Sequence, residues 1–168
     1  MNKALIAFAL LAGCGDSDKY EDNLLAPAAP TAPSTPAAPA ASSGSLTGLY
    51  EGKQGAQTNQ LCMIDMGAAG VQFGLVVWGG NMHSCSGSGK AVRAGGVLRL
   101  EMAGDEACAI EARIDGGTIT LPDSVAEGCA YYCGARAQLT GASFDRKGAT
   151  NADAMKAVDL VGEPLCGR

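Results

Sequence analysis

The sequence predicts a mainly β fold (β-rich α+β): an antiparallel meander of about seven or eight short strands, curled into a small barrel or flattened sandwich, disulfide-stabilised and finished by one or two short C-terminal helices. Three observations predict it. Apolar runs from residue 46 to the C terminus are short and broken by glycine, the pattern of strands joined by tight turns. Leu98, Leu100 and Met102 alternate with Arg99 and Glu101, and Cys108, Ile110, Ala112 and Ile114 alternate with Glu111 and Arg113, so each of these strands has one buried and one wet face. Six cysteines are spread over the same region while only 5 % of the 168 residues are aromatic, so bridges take the place of large core side chains.

The N terminus reads as an address. Lys3 supplies a positive charge and residues 4–11 are an unbroken apolar run. That run is too short to span a bilayer, which takes about 20 residues, and fits a secretory signal. Leu11-Ala12-Gly13-Cys14 ends the run and resembles the lipobox of bacterial lipoproteins. The resemblance implies that residues 1–13 are a signal peptide and that Cys14 carries diacylglycerol and an N-terminal acyl chain, binding the protein to membrane lipid. Two or three chains anchor firmly where one is marginal. Gly15, where an Asp would favour inner-membrane retention, implies a bacterial envelope protein held at the outer membrane and facing the periplasm.

Residues 14–45 read as a tether. Pro27, Pro30, Pro33, Pro36 and Pro39 recur every third residue, which stacks them along one edge of an extended polyproline II rod. At about 3.1 Å per residue, positions 26–40 reach on the order of 45 Å, a semi-rigid spacer ending in a Ser/Gly hinge.

Residues 46–168 are then the folded domain. Strands are expected at 48–52, 61–66, 71–78, 82–85, 90–93, 97–102, 107–114 and 118–121, joined by glycine-bearing turns, with Gly74 suited to a bulge or corner. Ser124 and Glu127 have capping-box spacing, and a helix is expected over 152–161 with Thr150 or Asn151 as its cap and Gly162 at its end. Once Cys14 is assigned to lipid, Cys62, Cys85, Cys108, Cys129, Cys133 and Cys166 form an even set of six, allowing up to three disulfides and fifteen pairings. Cys129 and Cys133, on one face if they share a helical turn, are expected to take different partners. Cys62 and Cys85 both fall near Leu75 in the expected register, about 9.5 Å apart across two strand spacings, too far for a bridge.

Composition excludes some functions. A net charge of −5 and a pI near 4.7 argue against nucleic acid as partner. A mixed zinc site could be drawn from His83 and the cysteines, but there is no second short-spaced cysteine pair, so no metal or cofactor is expected. His83 beside Ser84 and Ser86 invites a small hydrolase, yet Gly87-Ser88-Gly89 lacks the nucleophile-elbow pattern and nothing places a carboxylate behind the histidine. Glu101, Asp105, Glu106 and Glu111 read as solvated strand ends, so no catalytic residue is assigned. The segment 84–90 is small and polar and is expected to project as an interaction loop through Ser86, Ser88 and Lys90. Ser86-Gly87-Ser88-Gly89 resembles the Ser-x-Ser-Gly loop of the membrane-bound inhibitors of c-type lysozyme, small β-barrel lipoproteins. That resemblance implies cleft-contacting roles for Ser86 and Ser88, with Lys90 one place from the family's basic residue. The expected function is a non-enzymatic envelope module, binding a protein or glycan or serving a structural role. A binding module is expected to expose Tyr131, Tyr132 or Trp78.

Overall fold

The structure, a computed structural model, describes residues 44–54, 56–104 and 108–167. The expected signal peptide, Cys14 and nearly all of the tether lie outside them. Eight strands run in sequence order as an antiparallel meander and close on themselves into a barrel: β1 (Gly48–Gln54), β2 (Gln57–Asp65), β3 (Val71–Trp78), β4 (Ser84–Ala94), β5 (Val97–Met102), β6 (Ala109–Asp115), β7 (Thr118–Thr120) and β8 (Ser143–Gly148). Two-residue turns reverse the chain at Gly95-Gly96 and Gly116-Gly117, where φ of +63° and +58° at the first glycine suits a left-handed hairpin turn. The seam is the pairing of β8 with β1, Tyr50 opposite Arg146 and Glu51 opposite Asp145. Closure removes the sheet edges that would otherwise template aggregation.

Alternation sorts the side chains. Tyr50, Leu61, Met63, Phe73, Leu75, Leu98, Leu100, Ile110, Ala112, Ile119 and Phe144 fill the interior and are buried to 1 % exposure or less. This is a packed core with no open lumen, as the small diameter of an eight-stranded barrel requires. A second cluster lies on the outside of β1–β3: Leu49, Cys62, Ile64 and Val76 are covered by Ala154, Ala157, Leu165 and Cys166 from the C-terminal segment. That segment is a strap. The side-chain carboxamide oxygens of Gln60 and Gln72 accept hydrogen bonds from the backbone N–H groups of Val158 and Gly167, both at 3.1 Å, and the Cys62–Cys166 disulfide fixes its end.

Several sequence expectations need correction. The two strands expected at 82–85 and 90–93 are replaced by one continuous strand, β4, which starts at Ser84, and β8 was not foreseen. The helix expected over 152–161 is one turn, α1 (Asn151–Ala154), because the chain beyond it bends away to lie along β2 and β3 and Gly162 sits in a later turn. Instead of a helix opening at Ser124, a 3-10 segment runs Glu127–Tyr132. Gly74 makes no bulge, since pairing is regular on both sides of it; a Cβ there would lie 2.7 Å from the Leu165 carbonyl oxygen, so the glycine makes room for the strap. Cys62 pairs with Gly74 and Val77 with Cys85, a different register from the expected one, yet Cys62 and Cys85 do go to separate bridges.

Of the two expected caps, Thr150 is the one that caps α1, in a full capping box with Asp153. A 2.7 Å ion pair to Lys156 and a 2.7 Å bond from the Thr150 hydroxyl hold the Asp153 carboxyl down to about 2. A depressed folded-state value means that Asp153 supports the strap above the ordinary carboxyl range and loses this role as pH falls from about 4 toward 2. A carboxyl NMR titration is expected to give a midpoint near 2 for Asp153, moving up toward the ordinary range in Lys156→Ala. An unchanged midpoint in that variant would refute the assignment of the shift to Lys156.

Candidate functional site at the lidded end of the barrel

The two ends of the barrel are closed differently. Residues 44–47, where the chain enters, cork one end. The Tyr50 hydroxyl donates to the Leu46 carbonyl at 2.8 Å, Arg146 donates to the carbonyls of Ser45 and Thr47, and Arg93 donates to that of Gly44. The Arg146 guanidinium also lies 5.6 Å from the Tyr50 ring centroid, a cation–π distance. Burial pushes the Tyr50 phenol up, with Arg146 and Arg93 pulling the other way, so it stays neutral as a donor.

The opposite end carries a lid, residues 121–142, the longest connection between strands. Leu121 and Leu139 anchor it in the core at 1 % exposure. Two bridges staple the middle: Cys129 to Cys108 just before β6, and Cys133 to Cys85 in β4. The Gly134 N–H donates to Ser84 O at 2.9 Å, and the Tyr132 hydroxyl donates to Ala103 O at 2.9 Å. Tyr131, next in the chain, projects outward with 82 % of its surface exposed and packs edge-on to Tyr132, ring centroids 5.3 Å apart. Trp78 is half-buried against the strap. Of the three aromatics that could anchor a ligand, Tyr131 is the one presented in full.

Beside the lid the barrel mouth opens as a cavity of about 420 Å³ between the end of β3 and residues 135–142. Gly79 brings its walls together, because a Cβ there would lie 2.1 Å from the Arg136 carbonyl oxygen and 2.5 Å from Ala137 Cα. The Gly80 N–H then donates to that Arg136 oxygen at 3.0 Å. Asn81 and Met82 follow in left-handed conformations, φ 54° and 63°, which cost about 1–2 kcal/mol per non-glycine residue. A second crevice of about 380 Å³ lies within the lid, between the 3-10 segment and Leu139, and Ala135, Ala137, Gln138 and Thr140 border both spaces.

The sequence candidates fall elsewhere. Ser86, Ser88 and Lys90 lie within β4, paired with Val76, Gly74 and Gln72, and show one outer strand face where a projecting loop was expected. Strand pairing to β3 on one side holds them flat in the sheet. His83 is half-buried beside Gly134, and its ring makes no hydrogen bond to Ser84 or Ser86. Glu101 and Glu111 flank Arg99 at 2.9 and 2.6 Å on the outer face of the sheet, and hydrogen bonds to both raise the guanidinium pKa. Among the described residues no group of three or more His, Cys, Asp or Glu side chains could hold a metal ion. Arg136, Gln138 and Thr140 were not singled out in the sequence. The available signal was a connection of more than 20 residues carrying two cysteines, since loops of that length are commonly functional.

No family model, curated protein or solved structure shows a match to this chain.

Proposed function

We propose that this protein is a lipid-anchored module of the bacterial envelope, tethered through Cys14 and residues 14–45 at the outer membrane, that binds a protein or glycan with the lidded end of its barrel and performs no catalysis. The observation that carries the reading is Tyr131: a tyrosine 82 % exposed on a lid fixed by two disulfides. Large aromatics on rigid supports give contact area at little entropic cost and dominate interface energies. The first described residues enter at the end opposite the lid, which leaves the binding end clear of the tether's attachment point. The side chains of His83, Glu101 and Glu111 do not converge on a cavity with a nucleophile.

The test uses the full-length protein in its native envelope. Metabolic labelling with a palmitate analogue is expected to mark the wild type and to vanish in Cys14→Ala. Crosslinked capture of envelope components is expected to fall about thirtyfold in Tyr131→Ala, the loss of one aromatic anchor of about 2 kcal/mol. Equal capture by wild type and Tyr131→Ala would remove the lid as the binding surface.

A further inference from the structure

We propose that the barrel mouth binds a saccharide bearing a carboxylate, with the Arg136 guanidinium receiving that carboxylate; this rests on the binding-module reading and names its ligand class. The interior offers no room, because Phe73, Leu75, Leu100 and Phe144 fill it completely, so a small ligand has to sit at the mouth. The mouth cavity, about 420 Å³, falls within the range of small-ligand sites, about 300–1,000 Å³. Its walls are braced, since the Arg136 backbone is held by the Gly80 N–H and packed against Gly79. The guanidinium therefore starts from a fixed Cα.

The chemistry of the lining selects the class. Arg93 donates to the Gly44 and Gly95 carbonyls, Arg146 to those of Ser45 and Thr47, and Arg99 to two carboxylates. The Arg136 side chain, by contrast, has neither an ion-pair nor a hydrogen-bond partner among the described residues, and the same is true of the Gln138 carboxamide and the Thr140 hydroxyl. A donor-only guanidinium beside a carboxamide and a hydroxyl, both able to donate and accept, matches a ligand with one carboxylate and several hydroxyl or amide groups. Val77 and Ala142 add a small apolar part to the lining, a surface suited to the C–H face of a sugar ring. A polyanion is disfavoured, because residues 46–168 carry ten basic and thirteen acidic side chains and the pocket has one cation.

The experiment titrates full-length mature protein with the disaccharide N-acetylglucosaminyl-N-acetylmuramic acid, with neutral N,N′-diacetylchitobiose, and with the dipeptide D-Ala-D-Ala as a carboxylate without a sugar. Binding is read by NMR shift perturbation and calorimetry. The muramic disaccharide is expected to shift Gly79, Gly80, Arg136 and Gln138, and to bind at least tenfold more tightly than either comparison ligand. Arg136→Gln is expected to lose about 10- to 100-fold, the range for a hydrogen-bonded charge, and Arg136→Lys to recover part of it. Because the Arg136 side chain is exposed and only its backbone braces the wall, these variants keep the fold, which the unliganded spectrum checks. Equal binding of chitobiose, stronger binding of D-Ala-D-Ala, shifts confined to other faces, or an unchanged Arg136→Gln would each overturn the proposal. Absence of saccharide binding with Tyr131-dependent capture intact overturns the saccharide class alone. Absence of both overturns the binding module as well.

Discussion

Replacing Cys62 and Cys166 together by alanine is expected to lower the unfolding free energy by about 4 kcal/mol and to free the C-terminal strap while the barrel stays closed. The three bridges are nested, with Cys108–Cys129 inside Cys85–Cys133 and that inside Cys62–Cys166. The outer bridge spans 104 residues, and the 48-residue span of the middle bridge shortens the path it closes to 56. Loop-closure entropy grows only logarithmically, so either length gives about 4–5 kcal/mol. Against a total stability of about 5–15 kcal/mol for a domain of this size, that is a large fraction. Without the bridge the strap rests on the two glutamine hydrogen bonds and the packing of Ala154, Ala157 and Leu165 on Leu49, Ile64 and Val76, contacts that open together when it lifts. Urea denaturation gives the stability change. Limited proteolysis is expected to cut first between residues 155 and 165, and dye binding to rise as the outer apolar face of β1–β3 is bared. A change below about 1 kcal/mol would mean that packing alone holds the strap, against the entropic estimate.

The strap also shows where the sequence was readable and where it was not. β5 and β6 alternate strictly because their outer faces meet water, and β5 was read to the residue. In β2 and β3, Leu61–Ile64 and Phe73–Val77 are buried on both sides, interior and strap. Their unbroken apolar runs were the available sign that something covers the sheet from outside. Gly87 and Gly89 read as part of a projecting loop, yet they lie mid-strand for non-local reasons. A Cβ at Gly87 would lie 2.2 Å from Met102 Cε and 3.1 Å from a Tyr132 ring carbon, and one at Gly89 would lie 1.9 Å from the Glu101 carbonyl oxygen. The lid and the neighbouring strand dictate those glycines, and neither is visible locally. β8 escaped notice because Arg146 follows Phe144 on the same face of the strand, so the apolar alternation is cut short; its guanidinium is needed for the cork. The helix stopped early because tertiary packing of the strap overrode a local pattern that continued to Val161. The disulfide pairing follows from which strands the lid and the strap cross, information that spacing along the chain does not hold.

Removing the middle bridge, Cys85→Ala with Cys133→Ala, is expected to cost about 3.5–4 kcal/mol and to weaken ligand binding at the same time, an effect the outer bridge does not share. Cys133 ties the C-terminal limb of the lid to β4, and that limb forms one wall of the mouth. With the bridge gone, the stretch between Cys133 and the Leu139 anchor is held by single backbone bonds, from Gly134 to Ser84 and from Gly80 to Arg136. The 3-10 segment stays anchored through Cys129 and the Tyr132 hydroxyl, so Tyr131 keeps its support while Arg136 loses its fixed backbone. Saccharide affinity is therefore expected to fall more than Tyr131-dependent capture. Chemical reduction should reach the same state first. Cys62, Cys85, Cys108, Cys129 and Cys166 are exposed by 1 % or less, whereas Cys133 is half-buried, which makes its bridge the expected first target of an attacking thiolate. Stepwise reduction with dithiothreitol, trapping by alkylation and mass mapping should label Cys85 and Cys133 before the other four. Simultaneous labelling of all six would show that the bridges open only with global unfolding, and a lid that cannot loosen by itself would leave the mouth pocket as rigid as the barrel beneath it.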